Sequence, residues 1–179
     1  YVENILKFKK DGYFLEIGAD HPEIMSNTYL LEKKYNWKGI MIEWKKHRYS
    51  ELKEQRLNSI PVITDGTTVD YKKLLLENNY PKNLDYLQVD LEATNGSTLK
   101  ALQNLDKNVM EEYKFATVTF EHDIWHTNKY EIRKISREIF KRRGYQLLFE
   151  DVHNTKPEDV YEDWYVHPEL VDMEYVNSI

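Results

Sequence analysis

The chain reads as α/β: a mostly parallel sheet, covered by helices on both faces and closed by an antiparallel hairpin. Three observations predict it. Short apolar runs alternate with helical patterns along most of the chain, and strands joined through helices become parallel neighbours. The alternation opens on Gly12-Tyr13-Phe14-Leu15-Glu16-Ile17-Gly18-Ala19-Asp20, where strand, glycine turn and helix start a βαβ unit. Near the other end, strand patterns at 145–149 and 160–166 are separated only by a polar loop at about 151–159, and strands joined in that way pair antiparallel.

Residues 1–11 are polar with Ile5, Leu6 and Phe8 interspersed, the pattern of a leading helix or arm. The first strand spans about 13–17, apolar at Phe14, Leu15 and Ile17. Gly18 lets backbone approach a ligand closely. A helix is expected from Ser26-Asn27-Thr28 to Asn36-Trp37, with Tyr29, Leu30 and Leu31 on its apolar side. Its start offers N–H groups to an anionic group such as a carboxylate. Lys38-Gly39 turns the chain into the strand Ile40-Met41-Ile42-Glu43, and a charged helix follows at about 45–56 with Tyr49 and Leu52 one turn apart.

Pro61-Val62-Ile63-Thr64 is the third strand, ended by Asp65-Gly66. The helix near 68–78 carries Val69, Leu74, Leu75 and Leu76, and stops at Asn78-Asn79 and Pro81. The fourth strand covers 84–90, and Gly96-Ser97 begins a helix with Leu99, Leu102 and Leu105 at helical spacing. Residues 115–120, rich in β-branched and aromatic side chains, form the fifth strand. Asn128 and Glu131 make a capping box for a helix faced by Ile132, Ile135 and Ile139 and ended by Gly144. No repeat, low-complexity tract or linker divides the chain, so 1–179 reads as one domain.

A chain of 179 residues can bury a full core. With 41% apolar and 31% charged residues it is globular rather than disordered, and 14 tyrosines give core and cleft bulky walls. The net charge of −6 argues against a nucleic-acid backbone as the main partner. Two local basic runs, Lys45-Lys46-His47-Arg48 and Lys141-Arg142-Arg143, read as solvated helix faces. The absence of cysteine excludes disulfides, thiolate catalysis and cysteine zinc sites. No apolar run approaches the ~18 residues of a membrane span. No signal peptide is visible, and the cytoplasm is the expected compartment. The sequence carries no sign of oligomeric state.

Every expected parallel strand ends at an acid: Glu16 and Asp20 on either side of Gly18, then Glu43, Asp65, Asp90 with Glu92, and Glu121 followed by His122. A parallel sheet places these on one edge, around the crevice where helices diverge. One such acid reads equally well as the cap of the next helix. Five in succession point to a shared acidic cleft suited to a cationic or hydroxyl-rich ligand. Glu43 stands where a carboxylate accepts both hydroxyls of a ribose. A dinucleotide would call for G-x-G-x-x-G, but Gly18 stands alone beside Asp20, which disfavours a pyrophosphate. S-adenosylmethionine has no phosphate and carries a positive sulfonium, so it tolerates this turn.

Phe14-Leu15-Glu16-Ile17-Gly18-Ala19, Ser26-Asn27-Thr28 with Leu31-Glu32, and Trp37-Lys38-Gly39-Ile40-Met41-Ile42-Glu43 together resemble FkbM-type S-adenosylmethionine-dependent methyltransferases. Asp85-Tyr86-Leu87-Gln88-Val89-Asp90-Leu91-Glu92 resembles that family's fourth-strand segment, and Thr119-Phe120-Glu121-His122-Asp123, Arg143-Gly144-Tyr145 and Glu162-Asp163-Trp164-Tyr165-Val166 its later pattern. The match covers about residues 11–170 in the right order. It implies a class I methyltransferase fold, a Rossmann-like three-layer sandwich whose seven-stranded sheet ends in the antiparallel hairpin. It also implies that Glu16, Gly18 and Asp20 line the methionine part of the cofactor, Glu43 the ribose and Asp65 the adenine, with Ala19, Asn27 and Asp90 completing the set. The chain departs from the family pattern at Asp20-His21-Pro22, where a second glycine is common, and at Ala93, where many relatives carry glycine.

Methyl transfer is an in-line displacement, so much of the catalysis comes from holding the acceptor aligned. A hydroxyl acceptor also needs a base. His122 is the first candidate, with Asp90 and Glu121 as partners or substitutes. Asp90, Glu92, Glu121 and His122 read alternatively as ligands of a divalent metal. No tight ligand motif such as H-x-x-x-H is present, and no metal is the working expectation. His126 follows the same loop, while His21, His47, His153 and His167 have less to recommend them. Trp125, Trp164 and Tyr165 are candidate walls of an acceptor pocket, Trp164 reading also as core. The resulting expectation is O-methylation of a small-molecule or carbohydrate acceptor. Two alternatives stay open: a metal-dependent sugar-nucleotide transferase using Asp90 and Glu92, and a non-catalytic interaction module.

Overall fold

The computed structural model describes residues 1–127, 130–153 and 155–178, the side chains of residues 126 and 127 excepted. From the N-terminus the elements are α1 (Val2–Ile5), β1 (Tyr13–Ile17), α2 (Tyr29–Tyr35), β2 (Lys38–Glu43), α3 (Arg48–Gln55), β3 (Ile60–Ile63), α4 (Tyr71–Glu77) and β4 (Asn83–Val89). Then follow α5 (Ser97–Asn108), β5 (Lys114–Glu121), α6 (Ile124–Thr127), α7 (Tyr130–Arg142), β6 (Gln146–His153), β7 (Val160–Val166) and α8 (Met173–Val176). The strands form one seven-stranded sheet in the order β3-β2-β1-β4-β5-β7-β6. β1 to β5 pair parallel, and β7 lies antiparallel between β5 and β6. Strand order reverses between β1 and β4, and open α/β sheets bind ligands at such a switch point.

Two apolar layers sandwich the sheet. Leu15, Ile17, Ile40, Ile42, Leu87, Val89 and Val118 point to one face, where Leu75 of α4, Leu102 and Leu105 of α5, and Ile139 and Phe140 of α7 cover them. Phe14, Met41 and Tyr86 point to the other and meet Val2, Leu31, Tyr35 and Leu52 of α1, α2 and α3. Each such side chain contributes about 1.5–3 kcal/mol by leaving water. Phe140 packs among Phe120, Tyr145 and Tyr165, with ring centroids 4.3–5.8 Å apart, and locks α7 to the hairpin.

Several local expectations are revised. The turn before β2 is made by Asn36, left-handed at φ 58, and not by Lys38-Gly39. Gly39 lies inside the strand, where a Cβ would sit 1.9 Å from the Phe14 ring, so its role is close packing. α2 begins at Tyr29 rather than near 26, because Thr28 turns its hydroxyl inward to Glu16 at 2.8 Å. α4 begins at Tyr71 because Asp70 caps it, accepting from the Lys73 N–H at 2.9 Å. β6 runs past the expected 149 to His153, with register shifts along its ladder to β7. α6 and α8 are single turns, too short for periodicity to reveal. Asn128, half of the expected capping box, lies outside the described residues. Among the described residues, no helix is long and apolar enough to cross a membrane.

Candidate functional site

The turn after β1 brings three strand ends together. Gly18 and Ala19 donate their N–H groups to the Ile42 carbonyl at 2.9 and 3.1 Å, and the Asp90 N–H donates to the Ile17 carbonyl at 2.9 Å. Gly18 holds φ +93, and a Cβ there would lie 1.8 Å from the Asp90 carbonyl oxygen. Only glycine fits, on both backbone and space grounds. A cavity of about 960 Å³ opens above this turn. Its walls include Glu16 of β1 with Gly18, Ala19 and Asp20 after it, Glu43 at the end of β2, Asp65 after β3, Asp90 and Glu92 after β4, and Glu121 at the end of β5. The strand-end acids therefore do share one cleft.

On the donor side the carboxylates are held by hydrogen bonds. Glu43 accepts from the Asp20 N–H at 2.8 Å and the Lys45 N–H at 2.7 Å, which ties the loops after β1 and β2 together. Asp20, at φ 41, receives Lys45 Nζ at 2.8 Å and Arg48 Nε at 3.1 Å. The Lys45 hydrogen bond does most to hold its carboxyl below the usual range. Asp65 accepts from the Thr67 N–H and hydroxyl, both at 2.8 Å, and these hydrogen bonds likewise lower it.

Beneath this rim lies Arg56, which is fully buried. Its guanidinium donates to Glu32 at 2.9 Å, the Pro22 carbonyl at 3.2 Å, Ser26 at 3.1 Å and Thr28 at 2.7 Å, and lies 4.0 Å from Glu16. It pins the loop after β1 from below. Burial still pushes the Glu16 carboxyl up to about 7, against the opposing pull of Arg56 and Thr28.

The acceptor side is organised by one row of the sheet. Register sets Glu16 opposite Gln88, Gln88 opposite Thr119, and Thr119 opposite Trp164, all on one face. Asp90 and Glu121 continue that face side by side at the strand ends, next to the paired Val89 and Phe120, and both line the cavity. Burial, then the neighbouring Asp90, push the Glu121 carboxyl up. Burial also raises Asp90. Gln88, 2% exposed, donates Nε2 to Asp90 at 3.2 Å, while its Oε1 has no hydrogen-bond partner.

Two expected site residues do not join the cleft. Strand alternation turns His122 to the face opposite Glu121, where it is 0% exposed, with Nε2 3.6 Å from Asp163 and 3.9 Å from Asp151. Arg137 binds Asp163 through two nitrogens at 2.7 and 2.8 Å, and with Arg133 it also holds Asp151. His122, Asp151 and Asp163 stand close enough to ligate a metal, but guanidinium groups already take both carboxylates. Asn27 is exposed and outside the cavity wall, its neighbours Ser26 and Thr28 turning inward instead. Trp125, Trp164 and Tyr165 are also absent from the wall. Trp164 stacks on Tyr1 at 4.8 Å, and Tyr165 donates to Asp163. The side chain of His126 lies outside what is described.

Three wall or support residues escaped sequence reasoning. Trp44, 68% exposed beside Glu43, adds an apolar wall to the cleft. Gln88 had a readable signal, a lone amide inside a strand buried on both faces. Arg56 had none, because its partners lie 24–40 residues away in sequence.

No protein-family model matches the chain, and neither does any of the curated proteins compared with it. Solved structures do match. The fibrillarin pre-rRNA processing protein of Methanococcus jannaschii is 18% identical with a TM-score of 0.55, over 89% of this chain and 67% of its own. A TehB-like SAM-dependent methyltransferase from Corynebacterium glutamicum is 12% identical with a TM-score of 0.54, over 88% and 81%. Aeropyrum pernix fibrillarin, solved with natively bound S-adenosyl-L-methionine, is 14% identical with a TM-score of 0.53, over 88% and 67%. At such identities the likeness is one of fold: the chain has the Rossmann-like α/β fold of class I methyltransferases.

Proposed function

We propose that the chain is an S-adenosylmethionine-dependent methyltransferase of FkbM type, acting in the cytoplasm on the oxygen of a small or sugar-like acceptor. The observation that carries this reading is the cradle at Gly18, where any side chain would collide with Asp90, set beside the Glu43 carboxylate at the switch point of the sheet. A cavity of about 960 Å³ is ample for a nucleoside-sized ligand. Aeropyrum pernix fibrillarin, of the same fold, binds the cofactor. When bound, S-adenosylmethionine supplies an electrophilic methyl group whose bonding pair leaves with the sulfur.

The chain's own residues do the rest. Each Glu43 oxygen accepts one backbone N–H and keeps a second lone pair for a ribose hydroxyl. Asp65 is ionised and Trp44 offers an aromatic face, which suits an adenine's exocyclic amine and ring. Asp90, raised by burial, is a better base than an exposed aspartate and takes the acceptor's proton. His122 has no part in this scheme, because its ring is sealed on the other face. Fibrillarin of Methanococcus jannaschii is a pre-rRNA processing protein. Here a small acceptor is favoured over RNA, since Lys45 and Arg48 pair with Asp20, and Arg142 and Arg143 with Asp106.

Titration with S-adenosylhomocysteine and, separately, NAD tests the reading. At about 100 times its dissociation constant the product should add roughly 2.7 kcal/mol, or about 5–11 °C in Tm. No shift with S-adenosylhomocysteine, or a shift with NAD alone, refutes it. A panel of hydroxylated sugars, small acids and RNA, read by S-adenosylhomocysteine release, then assigns the acceptor.

A further inference from the structure

We infer that the floor of the acceptor side is a divalent-cation site, with Asp90, Glu121 and the Oε1 of Gln88 as its protein ligands. Two neighbouring parallel strands bring these oxygens together. Gln88 and Asp90 are two residues apart on one face, and Glu121 stands beside Asp90 at the end of β5. The parallel pairing of Val89 with Phe120 sets Asp90 and Glu121 next to each other where the two strands end. All three residues line the cavity.

Gln88 is the independent observation. The residue is 2% exposed, yet Oε1 has no partner among the described residues. A buried amide oxygen left in that state loses its hydrogen bond to water without a replacement, which argues for a ligand that satisfies it. The Nε2–Asp90 hydrogen bond fixes the amide, so the open atom is an acceptor and requires a donor or a cation.

Charge favours a divalent cation over an ammonium. Asp123 and Glu162 add to the negative field at Glu121, and Asp123 and Asp20 to that at Asp90. Among the described residues, no lysine or arginine forms an ion pair with either carboxylate. A single positive charge would leave the ionised pair half compensated, whereas a divalent ion balances it. Three hard oxygen donors suit magnesium, manganese or calcium rather than zinc. Three protein ligands leave positions for water and for one oxygen of an acceptor. The use of the site rests on the methyl-transfer reading. There the cation polarises the acceptor hydroxyl, whose proton passes to the Asp90 oxygen not bound to the cation as the acceptor oxygen bonds to the methyl carbon and the methyl–sulfur bond breaks.

The test uses the full chain and Mn²⁺ alone, followed by electron paramagnetic resonance of the unbound ion, with Mg²⁺ as competitor. One Mn²⁺ per chain should bind with a dissociation constant of ~0.1–1 mM or tighter, and Mg²⁺ should displace it. Asp90→Asn and Glu121→Gln should each weaken binding about tenfold or more by removing a charged ligand. Gln88→Met should weaken it several-fold with near-ultraviolet circular dichroism unchanged. Glu121→Gln keeps the side chain's size and removes only its charge, so it tests the site even if Asp90→Asn does not fold. Absence of binding at millimolar Mn²⁺, binding untouched by Glu121→Gln, or binding lost with Asp151→Asn instead would each overturn the assignment. S-adenosylhomocysteine is titrated in parallel. Mn²⁺ binding without it supports the cation site and refutes the methyltransferase, and the reverse result does the opposite.

Discussion

Replacing Arg56 with leucine removes a cation that no solvent reaches. The change deletes four hydrogen bonds, to Glu32, Pro22, Ser26 and Thr28, and takes the guanidinium from above the Phe14 ring, 5.8 Å away. Breaking a buried pair from one side costs about 3–5 kcal/mol, since the other charge is stranded. Glu32 keeps the Ser59 hydroxyl at 2.5 Å and the Asn58 N–H at 3.2 Å, which places the cost near the lower end, ~3 kcal/mol. For a chain of this size that is roughly 6–12 °C in Tm. The deficit should also depend on pH. Glu16 already sits up at about 7 with Arg56 pulling it down, so the variant raises it further. A carboxyl raised in the folded state contributes stability below its unfolded pKa and loses it as pH rises through the folded value. The Arg56→Leu deficit should therefore be smallest near pH 5 and grow towards pH 8. Urea unfolding of both proteins at pH 5, 6.5 and 8 measures this. A deficit under about 1 kcal/mol, or one equal at all three pH values, would refute the view of Arg56 as the pin of the site.

Gly18→Ala should destabilise the fold by more than ~2 kcal/mol and abolish S-adenosylhomocysteine binding, because its Cβ meets the Asp90 carbonyl. Thermal melts and calorimetry check both, and normal affinity in a stable variant contradicts the cradle. Glu43→Gln should weaken S-adenosylhomocysteine by about one to two decades with little change in Tm, the loss of one charged acceptor for neutral hydroxyls. Unchanged affinity would place the ribose elsewhere. His122→Ala should cost ~1–3 kcal/mol by emptying a buried site beside Asp163, while affinity stays within about twofold. A large drop in affinity at unchanged stability would return His122 to the cleft.

What could be read in the sequence was local. Alternating apolar runs and helical faces specified parallel strands, and the short link between 149 and 160 specified the hairpin. Gly18 and the acids at strand ends fell on one edge because topology alone puts them there. The misreadings share a cause, which is that one residue decides which face a side chain takes. His122 follows Glu121 directly, and an extended backbone sends the two to opposite sides. Asn27 lies between Ser26 and Thr28, both turned to Arg56, and is left outward. Turns chosen by a single left-handed residue, such as Asn36, are equally hard to anticipate beside an obvious glycine at 39. Arg56 depends on partners gathered from four separate positions, which only the folded chain brings together.

The acids of the cleft divide by the chemistry of their partners rather than by their place in the sequence. Asp20 and Asp65 sit where loops leave the sheet, and lysine, arginine, hydroxyl and backbone N–H groups reach them there. Those groups keep them ionised. Glu16, Asp90 and Glu121 sit lower, against the sheet face, where burial outweighs such partners and raises all three, as it does Glu162 beside them on β7 but off the cavity wall. Trp164 donates to Glu162 at 2.5 Å and Thr28 to Glu16, but neither bond restores an ordinary carboxylate. The rim is thus charged and preorganised for polar ligand groups, while burial makes the floor acids costly to ionise unless a cation accompanies them. A positive sulfonium alone leaves much of that floor uncompensated, and this is why the unmatched oxygen of Gln88 points to a second positive ligand beside the first.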